Sequence, residues 1–225
     1  MMRYLLVISF VVALLGPGVA RADAPSFTVD RGIPNLDTVE TAIIKYYDSG
    51  QYAADTSTVT AHLQSYVDGR LKRGVRKPAV VFDIDDTALL SYPYERKMDF
   101  TYDPKSWRQW ESDGKFPAIR ATLLLARRLT HEHVAIFFVT GRRQSETALT
   151  KRELLGAGYP AFAGLYLRPA SDHAKSVIPF KSSERAAIAS RGYTVLASIG
   201  DQWSDLRGGY AERLYKLPNP MYFIP

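Results

Sequence analysis

The chain has 225 residues, 46% of them hydrophobic and 23% charged, with a formal charge of +6. That is the composition of a globular protein with enough chain to bury a core. Cys is absent, which excludes a disulfide-stapled fold, thiol catalysis, Cys-ligated zinc, iron–sulfur clusters and lipid attachment through Cys. The 15 Gly and 13 Pro follow no period, so collagen-like and low-complexity readings fail too.

Met1 to Tyr4 is a short basic start, and Leu5 to Leu15 is an uncharged, almost wholly apolar run. Gly16-Pro17-Gly18 breaks it, and Ala20-Arg21-Ala22 places small residues at both positions of an A-x-A site. This is the layout of a signal peptide spanning 1–22, cleaved after Ala22. The run is short for a bilayer crossing, so no stable membrane anchor is expected and the destination is secreted or periplasmic. Cleavage removes Arg3 and Arg21 and lowers the charge by two. The remaining positive charge favours small anions. No Lys/Arg stripe accompanies it, so nucleic acid is not the expected partner; the one dense basic run, residues 72–77, reads as a solvated helix end and loop.

Residues 23–225 read as a single domain that begins with an extended arm over 23–35. Asp37-x-x-Glu40 resembles a capping box, with Val39, Ile43, Tyr46 and Tyr47 following at helical spacing and Gly50 closing the segment. A second helix is predicted from about Ser57 to Arg73, with Val59, Leu63, Tyr66, Val67 and Leu71 on its apolar face. These helices, about 36–74, form an N-terminal addition. Ala79 to Phe82 then reads as a buried parallel strand that runs directly into Asp83-Ile84-Asp85-Asp86-Thr87.

Residues 88–116 are aromatic-rich and irregular, a small cap insert. Pro117 is expected to open a helix to about Thr130. Val134 to Val139 is a second strand, ending in Thr140-Gly141-Arg142-Arg143. A helix follows from about Ser145 to Leu155, then a strand at 165–167, a helix at 182–191, a strand at 194–199 ending in Gly200-Asp201-Gln202-Trp203-Ser204-Asp205, and a short strand at 214–217. The fold class is therefore α/β, a Rossmann-like parallel sheet with helices on both faces. Ligands of such sheets sit beyond the carboxyl ends of the strands. Three strand ends here carry polar residues directly after an apolar run: 83–87, 140–143 and 201–205.

Clustered carboxylates repel one another unless a cation joins them. Asp83, Asp85, Asp201 and Asp205 offer oxygen ligands with no His or Cys beside them, which suits Mg²⁺ better than zinc. The four His, at 62, 131, 133 and 173, read as structural or exposed.

Val81 to Thr87 resembles the DxDxT nucleophile motif of the haloacid dehalogenase superfamily. Val139 to Arg142 resembles its second motif, and Lys181 and Gly200 to Asp205 its third and fourth, in the right order. Pro179 to Arg185, Gly192-Tyr193, Trp107 to Trp110 and Gly114 to Ala118 narrow the likeness to the class B acid phosphatases, with plant acid phosphatases, vegetative storage proteins and bacterial secreted phosphatases as relatives. The resemblance covers roughly 36–217.

It implies Mg²⁺-dependent hydrolysis of a small organic phosphomonoester, a nucleotide among the candidates. By resemblance, Asp83 is the nucleophile and Asp85 the general acid and base. Mg²⁺ is held by the Asp83 side chain, the Asp85 carbonyl and Asp201, with Asp205 supporting. Thr140 and Gly141 hold the phosphoryl oxygens, and Lys181 offsets charge. Lys175 is a rival for that lysine role. Arg142 and Arg143 are candidates for phosphate contact or for structural pairing, Asp86 for tuning its neighbours and Thr87 for bonding the loop.

Tyr92, Tyr94, Phe100, Tyr102, Trp107, Trp110 and Phe116 of the insert either build a cap core or line the pocket. A dehalogenase needs no acid at position 85, so Asp85 favours phosphate chemistry. Two alternatives stay open: a non-catalytic storage or ligand-binding protein of the same fold, and phosphotransfer to alcohol acceptors. No feature of the chain sets an oligomeric state.

Overall fold

The structure is a computed structural model that describes Gly32 and residues 34–225. The expected signal segment and nearly all of the expected extended arm lie outside the described residues. No helix among the described residues is long and apolar enough to cross a membrane.

Five parallel strands form one sheet: β1 (Pro78–Phe82), β2 (Ala135–Arg143), β3 (Gly164–Arg168), β4 (Thr194–Gly200) and β5 (Arg213–Lys216), in the order β3-β2-β1-β4-β5. Alternation along β1 explains why its whole apolar run is buried. Val80 and Phe82 face one core with Leu63, Leu125, Leu129 and Leu154. Ala79 and Val81 face the other with Phe137, Phe180 and Ile188. Helices α2 (Gln51–Lys72), α5 (Arg120–His131) and α6 (Thr147–Gly156) thus cover the first face, and α7 (Ile178–Ser190) covers the second. The insert holds two short helices, α3 (Tyr92–Lys97) and α4 (Pro104–Ser112).

Four boundaries differ from expectation, each for a local reason. Helix α1 (Leu36–Asp48) is capped by Asn35, whose side chain accepts from the Asp37 N–H at 3.0 Å, so Asp37 is not the capping residue. Helix α2 starts at Gln51 rather than near Ser57, directly after Gly50 with its left-handed φ of 83°. Its Thr and Ser residues stay helical because their hydroxyls donate back one turn, as from Thr56 to the Tyr52 carbonyl at 2.7 Å.

Pro117 does not open α5. Its carbonyl accepts from Leu90 N–H and the next turn begins at Arg120, so 117–119 pair with the loop after β1. Helix α7 begins four residues earlier than expected, at Ile178, with Pro179 in its first turn. That places Lys181 inside the helix, pointing at the end of β1.

The insert's aromatics divide. Tyr94 is fully buried and meets Trp107, Trp110 and Phe116 edge-on, with ring centroids at 5.0, 5.5 and 6.3 Å. Tyr92 stacks on Tyr47 of α1 at 4.0 Å, outside that cluster.

Candidate active site

The carboxyl ends of β1, β2 and β4 meet at the floor of a cavity of about 700 Å³. Asp83 leaves β1 with its N–H still bonded to the Ile199 carbonyl at 3.0 Å, which fixes it against β4. Lys181 enters from α7. Its ammonium donates to Asp83 Oδ1 at 2.5 Å and to Asp205 Oδ1 at 2.6 Å, and the three side chains are almost wholly buried. Burial alone would lower the Lys181 pKa, but Asp205 and Asp83 more than offset this and hold it raised. Lys175, the rival, is exposed on the loop before α7 and does not line the cavity.

Asp201 directly follows β4 and is 1% exposed. Thr87 donates to its Oδ1 at 3.1 Å and accepts from its N–H at 3.0 Å, so the Thr87 hydroxyl serves this loop. Gln202 and Asn219 each donate to Asp201 Oδ2 at 2.8 Å. Burial, then the nearby Asp205 and Asp86, pushes the Asp201 carboxyl up to about 7. Asp83 is pushed well above the usual carboxylate range, by burial first, then by Asp205.

Asp205 folds back under the strand. A Cβ at Gly200 would fall 2.3 Å from Asp205 Cβ, so only glycine fits at that place. Arg185, fully buried on α7, donates to the carbonyls of Asp205, Arg207 and Gly209 and pins the loop from behind.

Asp83, Asp201 and Asp205 each offer an oxygen within 4.8 Å of the others. An all-oxygen, all-carboxylate set with one lysine against it keeps a net negative charge, and this fits a hard divalent cation.

The Asp85 side chain turns the other way and meets Arg142. Arg142 Nη2 donates to Asp85 Oδ1 at 2.6 Å, and Nε lies 3.0–3.1 Å from both carboxylate oxygens. Arg142 Nη1 donates to Glu153 Oε2 at 2.5 Å, and Glu111 lies 3.6 Å from Nε. Arg142 thus shows the structural pairing that is one of its two expected roles, and it also lines the cavity beside Thr140 and Gly141. Glu153 is pushed up to about 7 by burial, against the pull of Arg142.

Thr140 is buried, with its hydroxyl accepting from Arg142 N–H at 3.2 Å, and it lines the cavity beside Gly141. The insert contributes Phe100, Tyr102 and Trp107 to the wall. All four His are exposed and none lines the cavity.

The far wall is a segment that the sequence reading did not single out. Met221, Tyr222, Phe223 and Ile224 line the cavity. Tyr222 donates to Asp86 Oδ2 at 2.7 Å, and Asp86 also accepts from Ser91 N–H and Oγ. Asp86 sits at φ 51° and is pushed up to about 7 by burial. Glu111 and Glu153 were missed as well. The tail is irregular and follows the last strand, so neither period nor strand-end position marked it.

A family model described as HAD superfamily, subfamily IIIB (Acid phosphatase) matches residues 27–225, nearly all of the chain. The chain belongs to this acid phosphatase family. The match runs through the tail, beyond the 36–217 suggested by the motifs, and it carries the enzyme class: a phosphomonoesterase acting on a small phosphorylated substrate.

Among curated relatives, the chain is similar to "Stem 28 kDa glycoprotein" of Glycine max, 33% identical over 80% of this chain and 72% of that protein. It is similar to "Acid phosphatase 1" of Solanum lycopersicum, 34% identical over 64% of this chain and 58% of that protein. "Vegetative storage protein 1" of Arabidopsis thaliana is 30% identical over 86% and 74%. The class C acid phosphatase from Bacillus anthracis with tungstate bound shares the fold, with a TM-score of 0.70 at 22% identity over 84% of this chain and 86% of that one. Members of the superfamily generally use a divalent metal, which agrees with the aspartate set described above.

Proposed function

We propose that this phosphatase is a Mg²⁺-dependent, secreted enzyme that works through a phosphoryl group carried on Asp83. The observation that supports this most is the division of labour between the two acids of one loop. Asp83 gives Oδ1 to Lys181 and leaves Oδ2 without a hydrogen-bond donor among the described residues. Asp85, two residues on, is the more exposed of the pair and is aligned by Arg142.

In this reading Asp83 Oδ2 attacks phosphorus, and the bond from phosphorus to the ester oxygen breaks. Asp85 gives its proton to the departing oxygen. It then takes a proton from the water that attacks the aspartyl-phosphate, which releases inorganic phosphate and restores Asp83. Lys181 offsets the charge on Asp83 and the phosphoryl oxygens, and Thr140 Oγ with Gly141 N–H holds those oxygens. Asp83 and Asp201, with Asp205 and the Asp85 carbonyl, would hold Mg²⁺, which would supply Lewis-acid neutralisation of the phosphate charge. Arg142 acts as a positioning residue for Asp85. Phe100, Tyr102 and Trp107 form a face for an aromatic leaving group such as a nucleoside. The A-x-A segment ending at Ala22 supports secretion.

The test is phosphate release from p-nitrophenyl phosphate by purified protein with Mg²⁺, with a chelator, and as Asp83→Asn. Loss of at least about 10³-fold is expected in the mutant, and loss with chelator that added Mg²⁺ reverses. Turnover by Asp83→Asn at the wild-type rate would overturn the assignment.

A further inference from the structure

The cavity runs past the catalytic corner to the ends of β2 and β3, where basic residues gather that the proposed mechanism does not use. Arg143 ends β2 and Arg168 ends β3, and the two are register partners in the parallel ladder. Both line the cavity, and Arg108 of α4 lines it from the cap side.

Adjacent cations repel, and the protein neutralises them only in part. Arg168 Nη2 donates to Asp172 Oδ1 at 2.9 Å and to the Ala174 carbonyl. That bond, with the Ala174 N–H, holds the Asp172 carboxyl down at about 2. Arg143 reaches only the Asp172 carbonyl, at 3.3 Å. Glu146 meets Arg143 through the main-chain N–H at 2.9 Å, not through the guanidinium. Neither Arg143 nor Arg108 has a carboxylate at ion-pair distance among the described residues.

The second observation concerns Arg168 itself. It is 8% exposed, and its buried Nε finds no hydrogen-bond partner among the described residues. A buried, unbonded N–H on a cation is costly, so the Arg168 charge is under-satisfied where it borders this corner.

We propose that the β2–β3 corner is a second anion subsite, and that preferred substrates are organic phosphates carrying a second phosphate group. The inference rests on reading the Asp83 corner as the seat of the scissile phosphate. Arg143 lies three residues beyond Thr140 on β2. At the rise of a strand the two backbone positions lie at most about 10 Å apart, a span of the order of a small bisphosphate. The guanidinium forks of Arg143 and Arg168 suit a phosphate better than a neutral hydroxyl.

Binding tests this independently of turnover. Asp83→Asn protein with Mg²⁺ is titrated calorimetrically with fructose 1,6-bisphosphate and with fructose 6-phosphate. The bisphosphate binds roughly ten-fold tighter, as one charge-assisted contact predicts. Adding Arg143→Ala brings the ratio of the two affinities toward one, and Arg168→Gln does the same if it folds. Because both sugars are read on the same variant, a general structural loss cancels from the ratio. Equal affinities on the Asp83→Asn protein, or a ratio unmoved by Arg143→Ala, would overturn the subsite. A ratio that follows Arg143 while wild-type protein releases no phosphate from the bisphosphate or from p-nitrophenyl phosphate would keep the subsite and overturn the catalytic reading of the Asp83 corner instead.

Discussion

Two corners of the cavity solve the same charge problem differently. At the Asp83 corner three buried carboxylates gather, Asp83, Asp201 and Asp205, and Lys181 bonds the first and the last of them. At the Asp85 corner, Arg142 also faces three: Asp85, Glu111 and Glu153. Each has two more negative charges than positive if every acid is ionised. At the first corner the carboxylate oxygens converge, and one divalent cation can touch them all. At the second they spread around the edges of a planar guanidinium, and no such convergence is found among the described residues. There burial pushes Glu153 up to about 7, so it carries a proton part of the time near neutral pH. Asp201 at the first corner is pushed up as far, so the convergence of the oxygens is what separates the two corners. Charge count alone does not make a metal site; convergence of the donor atoms does.

The largest expected effect comes from removing the lysine. Lys181→Met leaves three buried carboxylates with no cation, and metal-free protein loses about 3–5 kcal/mol in urea unfolding. Added Mg²⁺ recovers much of this, because a divalent ion replaces the missing charge. Phosphate release still falls by at least about 10²-fold. A variant as stable as wild type in chelator would show that the first corner is not held together by charge.

The proton at the second corner makes a pH prediction. Glu153 titrates near 7 when folded, against an ordinary value of 4.5. Between those two values the folded protein holds a proton that the unfolded chain has released. Stability therefore falls as pH rises through that window. Glu153→Gln should flatten the change between pH 5 and 7.5 by on the order of 2 kcal/mol. Mg²⁺ should leave that difference in place, since the convergent carboxylate oxygens lie at the other corner. If Mg²⁺ abolished it, the two corners would not be separate.

The smallest effect is the most specific. Arg142→Lys keeps the charge but loses the fork that aligns Asp85. Release of p-nitrophenol, which leaves easily, should fall less than release of a simple alcohol from its phosphate. The gap is expected to be roughly ten-fold, a part of the full contribution of a well-placed general acid, since Lys keeps the charge and loses only the alignment. Equal losses on both substrates would reduce Arg142 to a structural role.

Much of this was readable in the sequence. Apolar runs ending in Asp83, Thr140 and Asp201 identify three strand ends, and their meeting follows from the way parallel sheets bind ligands. Lys181 was legible from its motif, although only the early start of α7 explains how it reaches Asp83. Glu111 and Glu153 were not legible. They lie on helices where an acid is ordinarily solvated, and only the fold buries them against Arg142. The 219–224 segment escaped for a different reason: its hydrogen bonds to Asp86, Asp201, Gln202 and Ser204 span long stretches of chain and leave no periodic trace.

The close approach of Gly200 and Asp205 has an evolutionary side. With no room for a Cβ between them, the two positions form one mutational unit. A lineage that first replaces Gly200 displaces Asp205 and with it one partner of Lys181. One that first shortens residue 205 frees position 200 to drift, and a later return to Asp is then blocked until glycine is also restored. Loss of activity by this route is easy to enter and hard to reverse, since each step back is harmful without the other.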